Sequence, residues 1–396
     1  MRHINDNERR NRLAVRHGIH PDHRLPDAVA ATRAMTVLHA TEAATVHLSV
    51  QARVDGTTPA DIDHALYEDR SLVKQLAMRR TLFVFPRDLL PAALGSASAR
   101  VAVEQRRVIT RDVEMHGVAE DGAAWLDRAC DAVLTRLEPG DCLSAKQLRE
   151  EIPELRGTIT VNTSKKYGGT FQIAPRVFTL LGAQGQLVRA TNGGHWRLGR
   201  PTWTSMGTWL GQEVMPLTTE EGYAELTRRW LGTFGPGTVE DLQWWLGSTK
   251  SAARAALATV DAREVSLDGG IHGWVLPDDE APVAAPEPWA ALLPTLDPTT
   301  MGWKLRDFYL APEHVPYLFD SNGNGGTTAW WNGRIVGCWV QDPDAVVRVV
   351  LRDGEEVGAA GTRALQDEAE RLTRWLDGVV ISNVYKSQLM KRAILP

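Results

Sequence analysis

The sequence predicts an α+β protein built from three successive units, each of helices closed by a short β hairpin or wing, with a small β-rich domain behind them. Three observations carry this expectation. Helical apolar spacing up to Leu38 gives way to the β-branched and aromatic run Thr81-Leu82-Phe83-Val84-Phe85, ended by Pro86, which is how a strand starts and stops. Asn-Gly pairs stand between short strand-like stretches at Asn192-Gly193 and again at Asn332-Gly333, and that pair suits the left-handed backbone of a tight hairpin. Beyond the acidic, proline-rich stretch from Pro277 to Pro288, read as a linker, the pattern changes to alternating strands.

In the first unit Asp27 is placed to cap a helix carrying Val29, Arg33, Ala34, Val37 and Leu38. Thr41-Glu42 reads as the start of a second helix, with a hydroxyl as N-cap and an early carboxylate suited to the helix dipole. Pro59 opens a third. Leu72 to Arg80 then leads into the strand at Thr81, giving the order helix, helix, helix, strand, and residues 88–137 look helical. The second unit begins with the Ser144-x-x-Gln147 capping box. It continues with a helix from about Pro175 to Leu181 and a wing formed by Gln186–Ala190 and His195–Leu198. In the third unit Thr218 and Glu221 make another capping box, Val239–Leu246 is a short helix broken by Gly247, and Thr249 caps the next. Strands around Val265 to Leu276 turn at Asp268-Gly269-Gly270. The last domain holds strands at 328–331, 334–340 and 346–351 and a helix around Leu365 to Leu376. The expected boundaries are 1–137, 138–212, 213–280 and 289–396, within the two to four domains that 396 residues allow.

Composition limits the function classes. An apolar fraction of 43% and a charged fraction of 23% are those of a soluble globular protein, and no run is long enough for a membrane helix. The amino terminus has no apolar core, so no secretory signal is expected. Cys130, Cys142 and Cys338 are odd in number and far apart, which points to a reducing cytoplasm, with no disulfide, metal or cofactor. The net charge of −5 hides an uneven distribution: nine Lys/Arg against two Asp/Glu from Arg70 to Arg111, nine against three from Lys146 to Arg200, and two against eight from Ala253 to Thr300. Phosphate binding follows the local field, so nucleic acid remains open as a partner.

Several pieces, in order, are similar to the winged-helix DNA glycosylases of the AlkZ and YcaQ type: Arg70-Ser71-Leu72-Val73, Met78-Arg79-Arg80-Thr81-Leu82, Phe234-Gly235-Pro236 with Trp245-Leu246-Gly247, Leu293-Pro294-Thr295-Leu296-Asp297, Lys304-Leu305-Arg306-Asp307, and Asn332-Gly333-Arg334-Ile335-Val336-Gly337. The resemblance spans residues 10–380. It implies three tandem winged helices and a β-barrel-like domain in a C-shaped clamp around double-stranded DNA. The implied activity is excision of N7- or N3-alkylated purines by a monomeric, monofunctional enzyme. The family's Gln-x-Gln or Gln-x-Asp triplet falls on His39-Ala40-Thr41, followed by Glu42. Arg80 and Phe83 stand where the family usually has Gly and His.

An N7-alkylguanine is already cationic, so its glycosidic bond needs a positioned water and stabilised oxocarbenium character more than a proton donor. In that light His39 is the candidate general base, Thr41 holds the water or a phosphate, and Glu42 orients His39 or stabilises charge on the sugar. Phosphate-contact candidates are Arg53, Arg79, Arg80, Arg100, Lys165, Lys166, Tyr167, His195 and Lys250. The loop Ser321–Gly326, with Asn322 and Asn324, is read as small and flexible, a probe at the lesion. Trp230, Trp244 and Trp245 sit at helical core spacing, and Asp297, Arg306 and Asp307 read as a structural salt-bridge group. The His-x-Thr form resembles variants linked to self-resistance against DNA-alkylating natural products such as trioxacarcins. The competing reading is a winged-helix DNA-binding or transcriptional protein without catalysis.

Overall fold

The computed structural model describes residues 1–161 and 168–392; Lys165, Lys166 and Tyr167 lie outside the described residues. The basic amino-terminal helix α1 (Asp6–Arg16) spends its charge inside the protein. Arg12, 2% exposed, donates to the Asp279 carboxylate at 2.8 Å and to the Ala281 carbonyl at 3.2 Å, and Arg16 also pairs with Asp279. The acidic linker is therefore held against α1 by ion pairs.

Helix α2 (Ala28–Ala34) starts where Asp27 accepts the Ala30 N–H at 2.8 Å, satisfying a donor that the first turn leaves open. The expected helix junction after it is absent. Leu38–His39 form a short strand, β1, and α3 (Ala43–Gln51) begins one residue beyond Glu42, which occupies the N-cap position without a side-chain cap. Thr41 is thus not the cap. Helix α4 (Pro59–Asp63) opens on a Thr58/Asp61 capping box. Leu72–Ala77 is also a strand, β2, with burial alternating from Val73 to Ala77, the period of a strand and not of a helix. It pairs antiparallel with β3 (Thr81–Pro86), while β1 pairs with the other edge of β3 and sets His39 opposite Phe83.

The helical stretch 88–137 is broken into Leu90–Gly95, α5 (Ala97–Met115) and α6 (Gly122–Leu137). Ile109 and Val113 of α5 and Trp125, Leu126 and Val133 of α6 share one apolar core with Leu148 on α7 (Ala145–Glu151) and Phe178 and Leu181 on α8 (Ala174–Ala183). Strands β4 (Thr158–Val161) and β5 (Gly169–Gln172) form a hairpin between α7 and α8. The second strand of the next hairpin is not His195–Leu198. Strand β6 (Leu187–Asn192) pairs with β7 (Pro201–Ser205), because Asn192 accepts the Arg200 N–H and Gly193 donates to the Arg200 carbonyl, each at 2.8 Å. The intervening loop releases Trp196 to pack edge-on against Trp375, ring centroids 5.3 Å apart.

Helices α9 (Thr219–Phe234) and α10 (Val239–Leu246) both start on capping boxes, the second formed by Thr238 and Asp241. Gly247, at φ +63°, ends α10 in the left-handed region, where glycine carries no Cβ penalty. Thr249 caps α11 (Lys250–Thr259), and β8 (Arg263–Leu267) and β9 (His272–Val275) pair antiparallel, with the amino-terminal His3–Ile4 added parallel to β8. The barrel expected at the end is an open antiparallel meander among the described residues: β10 (Ala290–Leu293), β11 (Thr328–Trp331), β12 (Arg334–Gln341) and β13 (Val347–Leu351), bonded in that order. Helix α12 (Gly358–Leu376) covers this sheet, and an irregular strap leads from it to α13 (Gln388–Arg392).

One helix joins the two ends of the chain. Every residue of α3 from Ala44 to Gln51 is buried, as expected of a helix packed on more than one side. Ala44 and Leu48 join the core beneath the last sheet, whereas Val46 and Val50 join a larger core that the first sheet shares with α9, α10 and residues of the last sheet. Just past α3, Arg53 is fully buried and grips Asp297 with two bonds of 2.7 and 2.9 Å. Ser49 and Thr299 complete the network. Burial alone raises the Asp297 carboxyl, but the Arg53 guanidinium and these donors outweigh it and hold it below the usual range. Arg53 is therefore a structural clasp and not a phosphate contact.

Candidate active site

The first sheet, Trp244 of α10 and the loops around the last sheet enclose a cleft of about 320 Å³, at the lower end of the range for small-ligand sites. His39, Thr41, Arg79, Arg80, Thr81, Trp244, Arg306, Asn322, Asn324 and Tyr385 line it, with Leu296, Met301 and Gly323. The sequence candidates His39, Thr41, Arg79, Arg80, Asn322 and Asn324 thus meet in one place. His195 and Lys250 are exposed but do not line it.

His39 reaches the cleft because β1 is an edge strand with one ladder partner. Its ring lies 4.5 Å from the Phe83 ring, and only 6% of the residue is exposed. Its Nδ1 is sealed without a hydrogen-bond partner, which leaves Nε2 as the accessible ring nitrogen. Burial, followed by the nearby Arg79 guanidinium, pushes the imidazole down to about 3. His39 is consequently neutral at physiological pH. Thr41 is exposed at the cleft wall.

Glu42 points elsewhere. Its Oε1 accepts the backbone N–H groups of Val384 and Tyr385 at 2.6 and 3.1 Å. Burial raises this carboxyl, and the two N–H donors only partly offset that. Glu42 does not orient His39; it ties the carboxy-terminal strap to the first unit.

The cleft is strongly cationic. Arg79 and Arg80 sit in the β2–β3 turn at φ +55° and +58°, a conformation that costs about 1 kcal/mol for a residue with a Cβ. The Arg79 guanidinium stacks 4.0 Å over Trp244. Burial, then Arg306, lowers Arg79 to about 10, so it stays charged. Arg306 is held 4.1 Å over Phe319 and donates to the Trp303 carbonyl. Among the described residues none of the three has a carboxylate partner, and no Asp, Glu or Lys lines the cleft. The larger groove alongside, about 720 Å³, shares Arg80, but there the buried Asp112 binds both Arg111 and Arg176. Arg100 joins Arg79 and Arg80 in a third groove.

Sequence reading missed Arg306, Trp244 and Tyr385. Arg306 had been grouped with Asp297, whose partner is Arg53. The available signal was the Lys304-Leu305-Arg306 motif itself, whose backbone N–H groups at 304 and 305 are fixed by Asp241 at 2.9 and 2.7 Å. Trp244 is half-buried, unlike Trp230 and Trp245, which are core. The probe loop is not a loose tether: Asp320 accepts the N–H groups of Asn322 and Asn324 at 2.8 and 2.9 Å and the Asn324 side chain at 2.9 Å.

The fold is one found in a DNA-repair enzyme class. The Streptomyces sahachiroi DNA glycosylase AlkZ superposes with a TM-score of 0.75 over 96% of this chain and 98% of that chain, at 20% identity. A family model described as DNA glycosylase AlkZ-like matches residues 32–375, and the chain belongs to the AlkZ-like DNA glycosylase family. No curated protein matches the chain. No helix among the described residues is long and apolar enough to cross a membrane, and no group of three or more His, Cys, Asp or Glu among them is placed to hold a metal ion.

Proposed function

We propose that this glycosylase hydrolyses the N-glycosidic bond of N7- or N3-alkylated purines in duplex DNA, bulky adducts included, with His39 and Thr41 as the residues facing the reacting sugar. The observation that carries the reading is a buried, neutral His39 among three arginines that have no carboxylate partner among the described residues. A neutral imidazole offers the cleft one polar nitrogen, donor or acceptor by tautomer, much as an amide offers N–H and C=O. It can therefore take the place of a glutamine and hold a water at C1′ without carrying a full charge. Thr41 supplies the second oxygen. Arg79, Arg80 and Arg306 draw in the flanking phosphates, whose negative charge then sits where positive charge develops on the sugar. Among the described residues no lysine lines the cleft, which favours water as the nucleophile over an enzyme amine and hence a monofunctional reaction. Three helix–hairpin units acting as a clamp on DNA, and a role in self-resistance to a DNA-alkylating natural product such as a trioxacarcin, belong to the same proposal.

The test is incubation with duplex DNA carrying N7-methylguanine or a bulky N7-guanine adduct, then hot alkali to cut abasic sites. His39→Ala lowers single-turnover excision at least about tenfold while DNA binding survives. Tight binding without cleavage by the wild-type protein would end the enzyme reading and leave a lesion-binding or transcriptional protein. The rate is flat from about pH 5.5 to 8.5 as far as His39 is concerned, since its proton is lost near 3. A step near 6.5 that disappears in His39→Gln would restore an ordinary general base.

A further inference from the structure

The proposed substrate presents the cleft with a problem of charge. An N7-alkylpurine is a cation, yet the wall contains three guanidinium groups and no carboxylate. Phosphates can balance the arginines, but something must still favour the damaged base over an ordinary one. Besides the amide and hydroxyl oxygens of the lining, aromatic faces attract a cation, and they alone match the flat face of a purine. One face of Trp244 is already covered by Arg79 at 4.0 Å. Tyr385, half-buried in the same wall, has no cation over it among the described residues. Burial, with Glu42 and Asp320 nearby, raises its phenol, so the ring stays uncharged.

Tyr385 does not belong to a helix or strand; it rides on the strap between α12 and α13. The strap is fixed by side chains that grip its backbone. Gln341 accepts the Ile381 N–H at 2.8 Å and donates to the Val379 carbonyl at 3.0 Å, and Thr295 donates to Asn383 at 3.0 Å. At Tyr385 itself the grip is Glu42, whose single oxygen takes two successive N–H groups. Glu42 follows the His39-Ala40-Thr41 stretch directly, so one short segment supplies both the proposed reacting residues and the latch for the strap that carries Tyr385.

Building on the proposed function, we infer that Tyr385 is the specificity-determining residue for cationic purines and Glu42 its positioning residue, acting through the backbone of the strap. The carboxylate oxygen matters here as an acceptor and not as a charge. An amide oxygen in the same place keeps the strap latched.

The test uses the full chain and two duplexes of one sequence, one with undamaged guanine and one with 2′-fluoro-N7-methylguanine, whose glycosidic bond resists cleavage. The quantity read is the ratio of their Kd values. Tyr385→Phe and Glu42→Gln keep the wild-type ratio; Tyr385→Leu and Glu42→Ala reduce it by about tenfold. Glu42→Gln keeps the strap in place, so the inference stays testable even if Glu42→Ala folds poorly. A wild-type protein that does not discriminate, an unchanged ratio in Tyr385→Leu, or equal loss in both Glu42 variants overturns the inference. Full excision by His39→Ala would instead strike at the proposed function and leave the ratio untouched.

Discussion

Two sets of arginines in this protein have opposite fates. Arg12 and Arg53, both buried, and the partly buried Arg16 pair with the carboxylates of Asp279 and Asp297. Arg79, Arg80 and Arg306 line a cleft, two of them resting on aromatic rings, and meet no carboxylate among the described residues. The residue type is the same, so the difference lies in the partner. A cation with an internal counter-charge closes the fold, and one without it is left for an anion from outside. Phosphate is the anion a DNA glycosylase meets.

The largest effect expected from breaking this contrast is at Arg53. Arg53→Leu strands the Asp297 carboxylate in a fully buried site, which costs on the order of 3–5 kcal/mol. The thermal midpoint should drop sharply, and Arg53→Leu with Asp297→Leu should recover most of the loss. A surviving midpoint in the single variant would remove the clasp from the account.

The buried histidines give the next largest effect. His17, packed edge-on against Phe234 and stacked on Trp303, and His39 are both pushed down to about 3, chiefly by burial. The unfolded chain binds protons near 6.5 that the folded chain refuses. Stability from these sites is therefore complete above that pH and is lost as pH falls towards 3. The slope approaches about 1.4 kcal/mol per pH unit for each histidine. Chemical denaturation at pH 7 and pH 5 should show the loss, and His17→Phe should make it smaller; an identical pH slope in that variant would count against it.

At the cleft the contrast predicts function without stability. Arg79→Gln and Arg306→Gln should leave the melting midpoint nearly unchanged. Each should weaken DNA binding about tenfold and lower the salt slope of log K by about one. An unaltered slope would mean that the guanidinium does not touch phosphate.

How far the sequence revealed this depends on the kind of signal. Local chemistry was legible: Asp27, Ser144, Thr218 and Thr249 cap helices as their spacing implies, and Asn332-Gly333 turns at φ +48° and +78° between paired strands. His39 and Thr41 were located by resemblance, and the structure puts both in the cleft. What failed was long-range. Whether Arg53 or Arg306 pairs with Asp297 depends on residues 244 positions apart meeting in space, and no local pattern encodes that. Tyr385 was missed for the same reason, since an irregular strap has no periodicity to read. Glu42 looked catalytic because it directly follows one catalytic candidate, Thr41, and lies three residues from the other, His39, in a segment that turns from strand to helix, which sends its side chain away from the cleft.

Arg80 makes the finest distinction, because stability and binding should move in opposite directions there. It is exposed, holds φ +58°, and lines both the cleft and the two grooves beside it. A glycine at this position removes the Cβ penalty of the left-handed backbone but adds chain entropy to the unfolded state, so Arg80→Gly should stabilise by at most about 1 kcal/mol. The same change deletes a guanidinium where the strand enters the cleft, so DNA affinity should fall and the salt slope should lose about one unit. Arg80→Ala separates the two effects: it keeps the backbone penalty and loses the charge, so affinity falls without a gain in melting midpoint. If both variants bind DNA as the wild type does, the strained arginine is a tolerated surface residue, and only Arg79 and Arg306 keep the role that an unpaired cation implies.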